Sequence, residues 1–440
     1  MLAYRSPMVQ IIMLGFVLFC TAGMFNAVNG MGGGGQVDTS IAAKSNTALY
    51  ACFAVFGVLA GVVNNILGEK VLMFGGALTY ALYVASYLAF NHIQSTAFAI
   101  AAGAILGIGA GCLWTAQGAI MMSYPTENRK GLFISIFWVI FNLGGVLGGL
   151  IPFAANYNST ASSVNDGTYI AFMVLMVLGA CLSLFMINPK KMVRDDGTPV
   201  VIEKAQGVRQ ELINLYKAAS DWRMLCLIPM FLSSNWFYGY QFNGVNGFLF
   251  NVRTRGLNNV FYWGAQMVGA LLIGKFLDSP RYNRSTKAVY GLLGMALAFS
   301  ATWGGGLALQ LQYDRNDVKW DIDFKDSSRA SGPIILFLFY GMFDAILQSW
   351  CYWVMGALTN DPSVLARYAG LYKGIQSAGG AISWAIDMAE VSYLTQLIIN
   401  WGILVAAIPS AYIVARQVKD TSHDAVEEAK MQAIKQQNEA

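Results

Sequence analysis

Apolar residues run in stretches of about twenty along the whole chain, and charges gather in the short polar breaks between them. The stretches are approximately 8–30, 45–67, 71–91, 96–122, 131–153, 168–187, 222–245, 259–277, 287–310, 331–356, 369–387 and 391–415. At 1.5 Å per residue each is long enough to cross a hydrocarbon core of about 30 Å. Hydrocarbon offers the backbone no hydrogen bonds, so each stretch is predicted to be a helix; barrel strands of about ten residues would be too short. The first begins after only Arg5 and Pro7 and reaches Asn29, too long for the apolar region of a cleaved signal peptide, so it reads as the first span.

Composition strengthens this reading. Hydrophobic residues make 56% of the 440 positions and charged ones only 12%, about half the charged share of a soluble domain, which excludes a large water-soluble core. Twelve spans put both termini on one side. Placing that side in the cytoplasm leaves only Lys44, Arg253, Arg255, Arg315, Lys319, Lys325 and Arg329 outside, seven of 28 basic residues, so the positive-inside rule makes both termini cytoplasmic. The acceptor tripeptide at Asn158 then faces outward and is a candidate for glycosylation, whereas the one at Asn283 faces the cytoplasm. The sequence divides into a six-span half (1–187), a charged cytoplasmic linker (188–221) whose later part has the spacing of an amphipathic helix, a second six-span half (222–415) and a charged cytoplasmic tail (416–440). The host membrane is the cell surface or an internal organelle.

The halves repeat one another. FNAVNG, residues 25–30, closes the first span, and FNGVNG, residues 242–247, closes the seventh. GAIMMSYPTENRKGLF, residues 118–133, follows the fourth span, and GALTNDPSVLARYAGLY, residues 356–372, follows the tenth; both start Gly-Ala, contain proline and resume with Gly-Leu and an aromatic residue. Such repeats are the mark of transporters with a site between their halves. Between spans two and three, Gly61, Asn65, Gly68 and Lys70 fit a glycine, acidic, glycine and basic pattern with asparagine at the acidic position; Gly274, Asp278, Arg281 and Arg284 follow span eight in the same way. Glycines let helices approach closely, and polar contacts at these loops can latch one arrangement of the halves. Asn65 cannot form an ion pair, which predicts a weaker latch in the first half.

The span count, the long central loop, the asparagine repeat and this loop signature resemble the branch of the major facilitator superfamily named after the "uncoordinated ninety-three" protein, particularly its fungal members, over residues 8–415. The resemblance implies an all-α membrane fold of twelve helices in two pseudo-symmetric bundles. It leaves the activity open: some members of the branch are thought to be transporters, and others regulate an ion channel or escort receptors between membranes.

The candidate site residues are the polar groups inside the spans, which are expensive there unless they are used or paired. Asp344 lies near the middle of span ten with Gln348 one turn on. It reads either as a proton or cation site or as a packed aspartate bonded to a neighbouring helix. Span seven carries Asn235, Trp236, Tyr238, Tyr240, Gln241 and Asn243, suited to lining a cavity by amide hydrogen bonds and aromatic stacking. Asn26 and Asn29, with Asn243 and Asn246, are expected either to form an outer polar vestibule or to cap the helix ends. Trp114, Gln117, Asn142, Gln266 and Gln376 complete the set. Lys275 and Lys373 read as snorkelling side chains near the cytoplasmic surface, which leaves the centre without Lys or Arg. The expectation is therefore a uniporter or proton-coupled carrier of a small neutral or weakly cationic organic solute; the alternative is an adaptor that binds another membrane protein.

Enzymatic chemistry finds no support. Gly32 to Gly35 lack the Lys-Ser/Thr continuation of a phosphate loop, His92 and His423 stand alone, and no nucleophile pairs with a base, so no cofactor or metal is expected. The six cysteines have no paired spacing and read as small apolar residues. Nor does any basic cluster interleaved with aromatic residues suggest nucleic acid.

Overall fold

The apolar runs form helices in the computed structural model, which describes residues 4–30, 39–155, 166–188, 191–198, 200 and 207–420. Asn158, the Gly32 to Gly35 run and the tail beyond residue 420 lie outside the described residues. In chain order the helices are α1 (Pro7–Leu18), α2 (Met24–Gly30), α3 (Thr39–Leu67), α4 (Glu69–Ile93), α5 (Thr96–Ser123), α6 (Lys130–Ala155), α7 (Asp166–Leu184), α8 (Val208–Ala219), α9 (Trp222–Ser233), α10 (Val252–Leu277), α11 (Arg284–Gln310), α12 (Ser327–Leu358), α13 (Pro362–Met388) and α14 (Tyr393–Ala415). A π-helical turn, Phe19–Gly23, joins α1 to α2, and a second, Tyr240–Gly247, continues the segment begun by α9.

Local chemistry sets many of the boundaries. Ser6, Ser95, Asn251, Asn283, Asp361 and Ser392 each accept a hydrogen bond from a free N–H of the first turn that follows them. Between α3 and α4 a single residue, Gly68, makes the break at φ +83°, ψ 159°, a region open essentially to glycine alone.

Among the described residues ten helical segments are long and apolar enough to cross a bilayer, so the chain is a multi-pass membrane protein. The stretch from Trp222 to Gly247 is not among the ten because it is broken: Pro229 sits within α9, turns follow it, and the π-helical segment comes last. Leucine and isoleucine side chains such as Leu178, Leu297, Ile335 and Ile398 stay exposed on the flanks, as suits a surface solvated by lipid. α3 packs along α5, α4 along α5 and α7, α10 along α12, and α11 along α12 and α14.

Two seams join the first part of the chain to the second: α3 against α13 and α6 against α10. Both depend on glycine. Gly57 faces Gly374, and a β-carbon at Gly61 would lie 2.8 Å from the Ala366 carbonyl oxygen and from Arg367 Cα. Backbone cannot give way there as a flexible side-chain tip can. The segment 311–326, on the face away from the termini, folds back over the start of α10: Ile322 N–H donates to Leu249 O (2.8 Å), Asn251 N–H donates to Ile322 O, and Arg253 pairs with Asp323.

These contacts predict opposite outcomes for one substitution at two glycines. Gly61→Ala should destabilise the protein by about 1–3 kcal/mol through overpacking. Gly75→Ala, with nothing within 4 Å of its new carbon, should be neutral or stabilise by up to about 1 kcal/mol through helix propensity. Thermal unfolding of the two purified variants checks this; equal shifts would show that the α3–α13 seam is not tight.

Candidate functional site

The polar centre lies between the two seams and is assembled from helical spacing. Asp344 and Gln348 stand one turn apart on α12, and Lys373 and Gln376 three residues apart on α13, so each pair shares a face. Gln348 binds both ions: its Nε2 donates to Asp344 Oδ1 (2.7 Å), while its Oε1 accepts from Lys373 Nζ (3.2 Å). Lys373 also donates to Gln376 Oε1 (2.7 Å) and sits 4.5 Å from the Trp114 ring centroid, with the Tyr372 and Tyr352 rings at 5.1 and 5.3 Å. Asp344 Oδ2 accepts from Tyr238 Oη (2.8 Å) and Gln266 Nε2 (2.8 Å), and Tyr262 Oη, whose one hydrogen goes to Gln241 Oε1 (2.9 Å), lies 3.4 Å away. A carboxylate with three donors, and an ammonium with two acceptors and three aromatic faces, are compensated for the loss of water.

A cavity of about 60 Å³ adjoins this network, room for a few water molecules. Asn26, Tyr50, Tyr80, Trp114 and Trp138 line it from the first part of the chain, and Asn235, Tyr238, Trp263, Gln266, Gln348, Lys373 and Gln376 from the second. Asn235 Oδ1, Gln266 Oε1 and the indole N–H groups of Trp138 and Trp263 are buried without hydrogen-bond partners in the protein. The cavity stops one side chain short of Asp344, which lies behind Gln348, Gln266 and Tyr238.

Lys373 corrects the expectation of a centre without a cation. It is 3% exposed and lines the cavity instead of snorkelling to the surface. The reason is where its helix starts. The Asp361 cap and Pro362 at the first helical position begin α13 seven residues before the expected span, so Lys373 lies about 16 Å along the helix. An Asp-Pro pair is a legible start signal, and it was the clue to this residue.

The other candidates divide. Asn26, Trp114, Asn235, Gln266, Gln348 and Gln376 meet at the cavity, with Asp344 one layer behind. Gln117 accepts from Tyr352 Oη, Asn142 donates to its own helix at Trp138 O, Tyr240 donates to Gln310, and Gln241 accepts from Tyr262; none of these lines the cavity, nor does Trp236. The asparagine repeat does not form one vestibule. Asn29 accepts from Asn46, Asn246 from Asn258, and Asn243 donates to Asp387, which pairs with Arg315.

Contacts join the two parts of the chain on both faces of the protein. On the face away from the termini Gly256 lies against Phe153, and Gly30 against Asn259. On the face with the termini, Asp278 accepts from the N–H groups of Gly131 (2.8 Å) and Leu132 (2.6 Å), closing α10 onto the start of α6. Arg284 pairs with Glu127, which also accepts from Asn360, while Lys130 donates to Asn360 Oδ1 and Gly356 O. Asp420 reaches the same cluster: its carboxylate accepts from Arg284 N–H and its carbonyl from the guanidinium. Lys70 and Arg281 do not bridge the seams; Lys70 donates to Leu184 O, and Arg281 lies over Tyr282.

At the position of Asp278 in the earlier loop stands Asn65, and the chain provides a carboxylate from elsewhere. Glu211 on α8 accepts from Asn65 Nδ2 (3.0 Å) and holds the Arg367 guanidinium by three contacts of 2.9–3.2 Å, while Asn65 also donates to Ser363 O. Glu211 and Arg367 are 4% and 7% exposed. Next to them Tyr368 donates to Asp221. Burial pushes the Asp221 carboxyl up, but donors from Arg223 and Tyr368 outweigh burial and hold it below the ordinary aspartate value. The charge absent at Asn65 is thus supplied at this seam by Glu211 of α8.

The profile described as "Ion channel regulatory protein UNC-93" matches residues 35–298. "UNC93-like protein 1" of Arabidopsis thaliana is 47% identical over 409 residues, covering 92% of this chain and 89% of that protein. An UNC93-like protein of Schizosaccharomyces pombe is 43% identical over 426 residues, covering 96% and 84%. Among solved structures, the proton:xylose symporter XylE bound to 6-bromo-6-deoxy-D-glucose superposes with a TM-score of 0.63 at 16% identity, covering 97% of this chain and 98% of that one. The last likeness shows an all-α, multi-pass fold of the major facilitator kind.

The borrowed carboxylate is testable. Glu211→Ala strands a buried guanidinium, at a cost of about 3–5 kcal/mol. It should lower the melting temperature and speed amide exchange in residues 361–367, and Asn65→Asp in the same background should restore part of both. Exchange unaltered by either change would reject the role given to α8.

Proposed function

The chain belongs to the UNC-93 family, and from that membership and its central polar cavity we propose that it is a transporter moving a small, neutral, polar organic solute by alternating access. Trp222–Gly247 and α13 complete twelve spans in two six-helix bundles in this reading, with both termini cytoplasmic. The packing pattern supports it, because main contacts in one half have counterparts in the other: α3 on α5 answers α10 on α12, and α4 on α7 answers α11 on α14. The α3–α13 and α6–α10 seams are then the surfaces on which the bundles rock.

The observation that carries the proposal is the cavity with its unsatisfied polar atoms, lined from both halves. An adaptor, as the family's description suggests, has no use for orphan amides and indoles at its centre. Lys373 disfavours the cationic solute of the sequence reading, whereas amides and aromatic faces suit hydroxyl-bearing, uncharged molecules. That the structurally similar XylE is described as a proton:xylose symporter supports both the solute class and proton coupling.

Coupling follows from the Lys373–Gln348–Asp344 bridge. With Asp344 ionised the pair is neutral overall, and Gln348 is held by both partners. A proton on Asp344 weakens its bond to Gln348 and leaves Lys373 as net charge, so loading and release of the proton change what the cavity wall offers a solute.

Proteoliposomes loaded by a pooled solute screen test this. Wild type should accumulate at least one neutral solute, faster under an inward proton gradient. Asp344→Asn should abolish the gradient-dependent part while gel-filtration behaviour stays normal, and Gln348→Leu should reduce total uptake by about tenfold or more. An Asp344→Asn protein with unaltered rate and pH profile would exclude the coupling role; no uptake of any solute by wild type would exclude transport.

A further inference from the structure

A large concavity lies on the flank of the protein, away from the central cavity. It is a groove of about 960 Å³ between α11 and α12, in the halves of those helices remote from the termini. Ala298, Ala301, Gly305 and Ala308 form one wall at helical spacing, and Ile335, Leu336 and Phe339 form the other. Small residues on α11 leave space that larger side chains on α12 do not fill. Pro333 also lines the groove; without an N–H it cannot bond the Arg329 carbonyl one turn earlier.

Polarity is concentrated at one end; Thr302, deeper in the groove, donates its hydroxyl to Ala298 O of its own helix (3.0 Å). Gln312, Trp320, Ser328 and Arg329 cluster at the mouth, and the floor reaches Phe343. Arg329 is exposed, and among the described residues its guanidinium has no carboxylate or other hydrogen-bond partner; the nearest acidic residue in sequence, Asp326, accepts from Ser328 Oγ. From Ser328 to Phe343 the helix rises about 22 Å. That equals one leaflet, about 15 Å of hydrocarbon plus its headgroup layer. The groove is thus leaflet-long, apolar in its depth and cationic at headgroup height.

We propose that this groove is a binding site for one membrane phospholipid, its phosphate on Arg329 and an acyl chain lying between α11 and α12 down to Phe343. The shape and charge fit this occupant better than a transmembrane helix. A helix of that length is about 10–12 Å wide and would stand largely outside the groove, and its apolar surface would leave Arg329 unanswered at the mouth. Phe343 directly precedes Asp344, so the acyl terminus would rest against the turn of α12 that carries the polar centre.

The test is native mass spectrometry of the full-length protein, delipidated and then offered phosphatidylglycerol, phosphatidylcholine or diacylglycerol. Both phosphate-bearing lipids should be retained at one molecule per chain, and diacylglycerol should not. Arg329→Ala should lower phospholipid retention at least about tenfold, the loss expected for a charge-assisted hydrogen bond. Gly305→Leu, whose first carbon clears Leu336 at 3.8 Å and whose remainder fills the groove, should do the same at unchanged melting temperature. Equal retention of diacylglycerol, or retention undiminished in both variants, would overturn the proposal. So would efficient disulfide dimer formation by Ala301→Cys in the membrane, which would put a second copy of this chain in the groove.

Discussion

An ammonium and a carboxylate inside a hydrocarbon-embedded core are tolerable only if their hydrogen-bonding capacity is met, and here a single amide meets part of it for both. Gln348 stands between Lys373 and Asp344 as donor to one and acceptor to the other. Direct contact of the two ions would give a deeper electrostatic well, and it would also be harder to open. An amide spacer keeps each charge compensated while leaving the bridge divisible by a competing hydroxyl or by one proton. The dense aromatic packing around Lys373 and the three-donor cage around Asp344 follow from the same constraint.

Closure on the termini side shows how one physical requirement can be met by different sequence. Asp278 closes one seam as a carboxylate at the N-terminal end of α6. The equivalent position in the earlier loop is Asn65, which has no charge, so the corresponding carboxylate comes from a helix outside the spans. The linker thereby becomes part of the closure: α8 is held to α13 through Arg367 and Tyr368 and to α3 through Asn65.

Much of the fold was legible because the hydrocarbon thickness imposes one length and one secondary structure on apolar runs. Asp344 with Gln348, and Gln376 with Asn235, stand out as candidates because buried polar groups are rare in such runs. Lys373 was missed through a boundary error of seven residues, which in a helix turns a surface side chain into a central one. The asparagine repeat misled in another way. Identical spacing in FNAVNG and FNGVNG suggests identical presentation, but the second copy is wound as a π-helix and the first as an α-helix. A wider turn changes the angle between successive side chains, so Asn26 reaches the cavity while Asn243 is drawn to Asp387. Glu211 could not be found from periodicity at all, since its role depends on a residue missing from a loop far away in the chain.

Asp420 fastens the strand that leaves α14 to the start of α11, on the same arginine that grips Glu127. Whatever load is applied to the chain just beyond that point is therefore felt first by the intracellular clasp in the proposed orientation. A bulky fluorescent fusion or a tethering ligand attached there would act as a lever on the molecule's conformational balance, whereas the same cargo at the opposite end of the polypeptide would have no such purchase on Arg284.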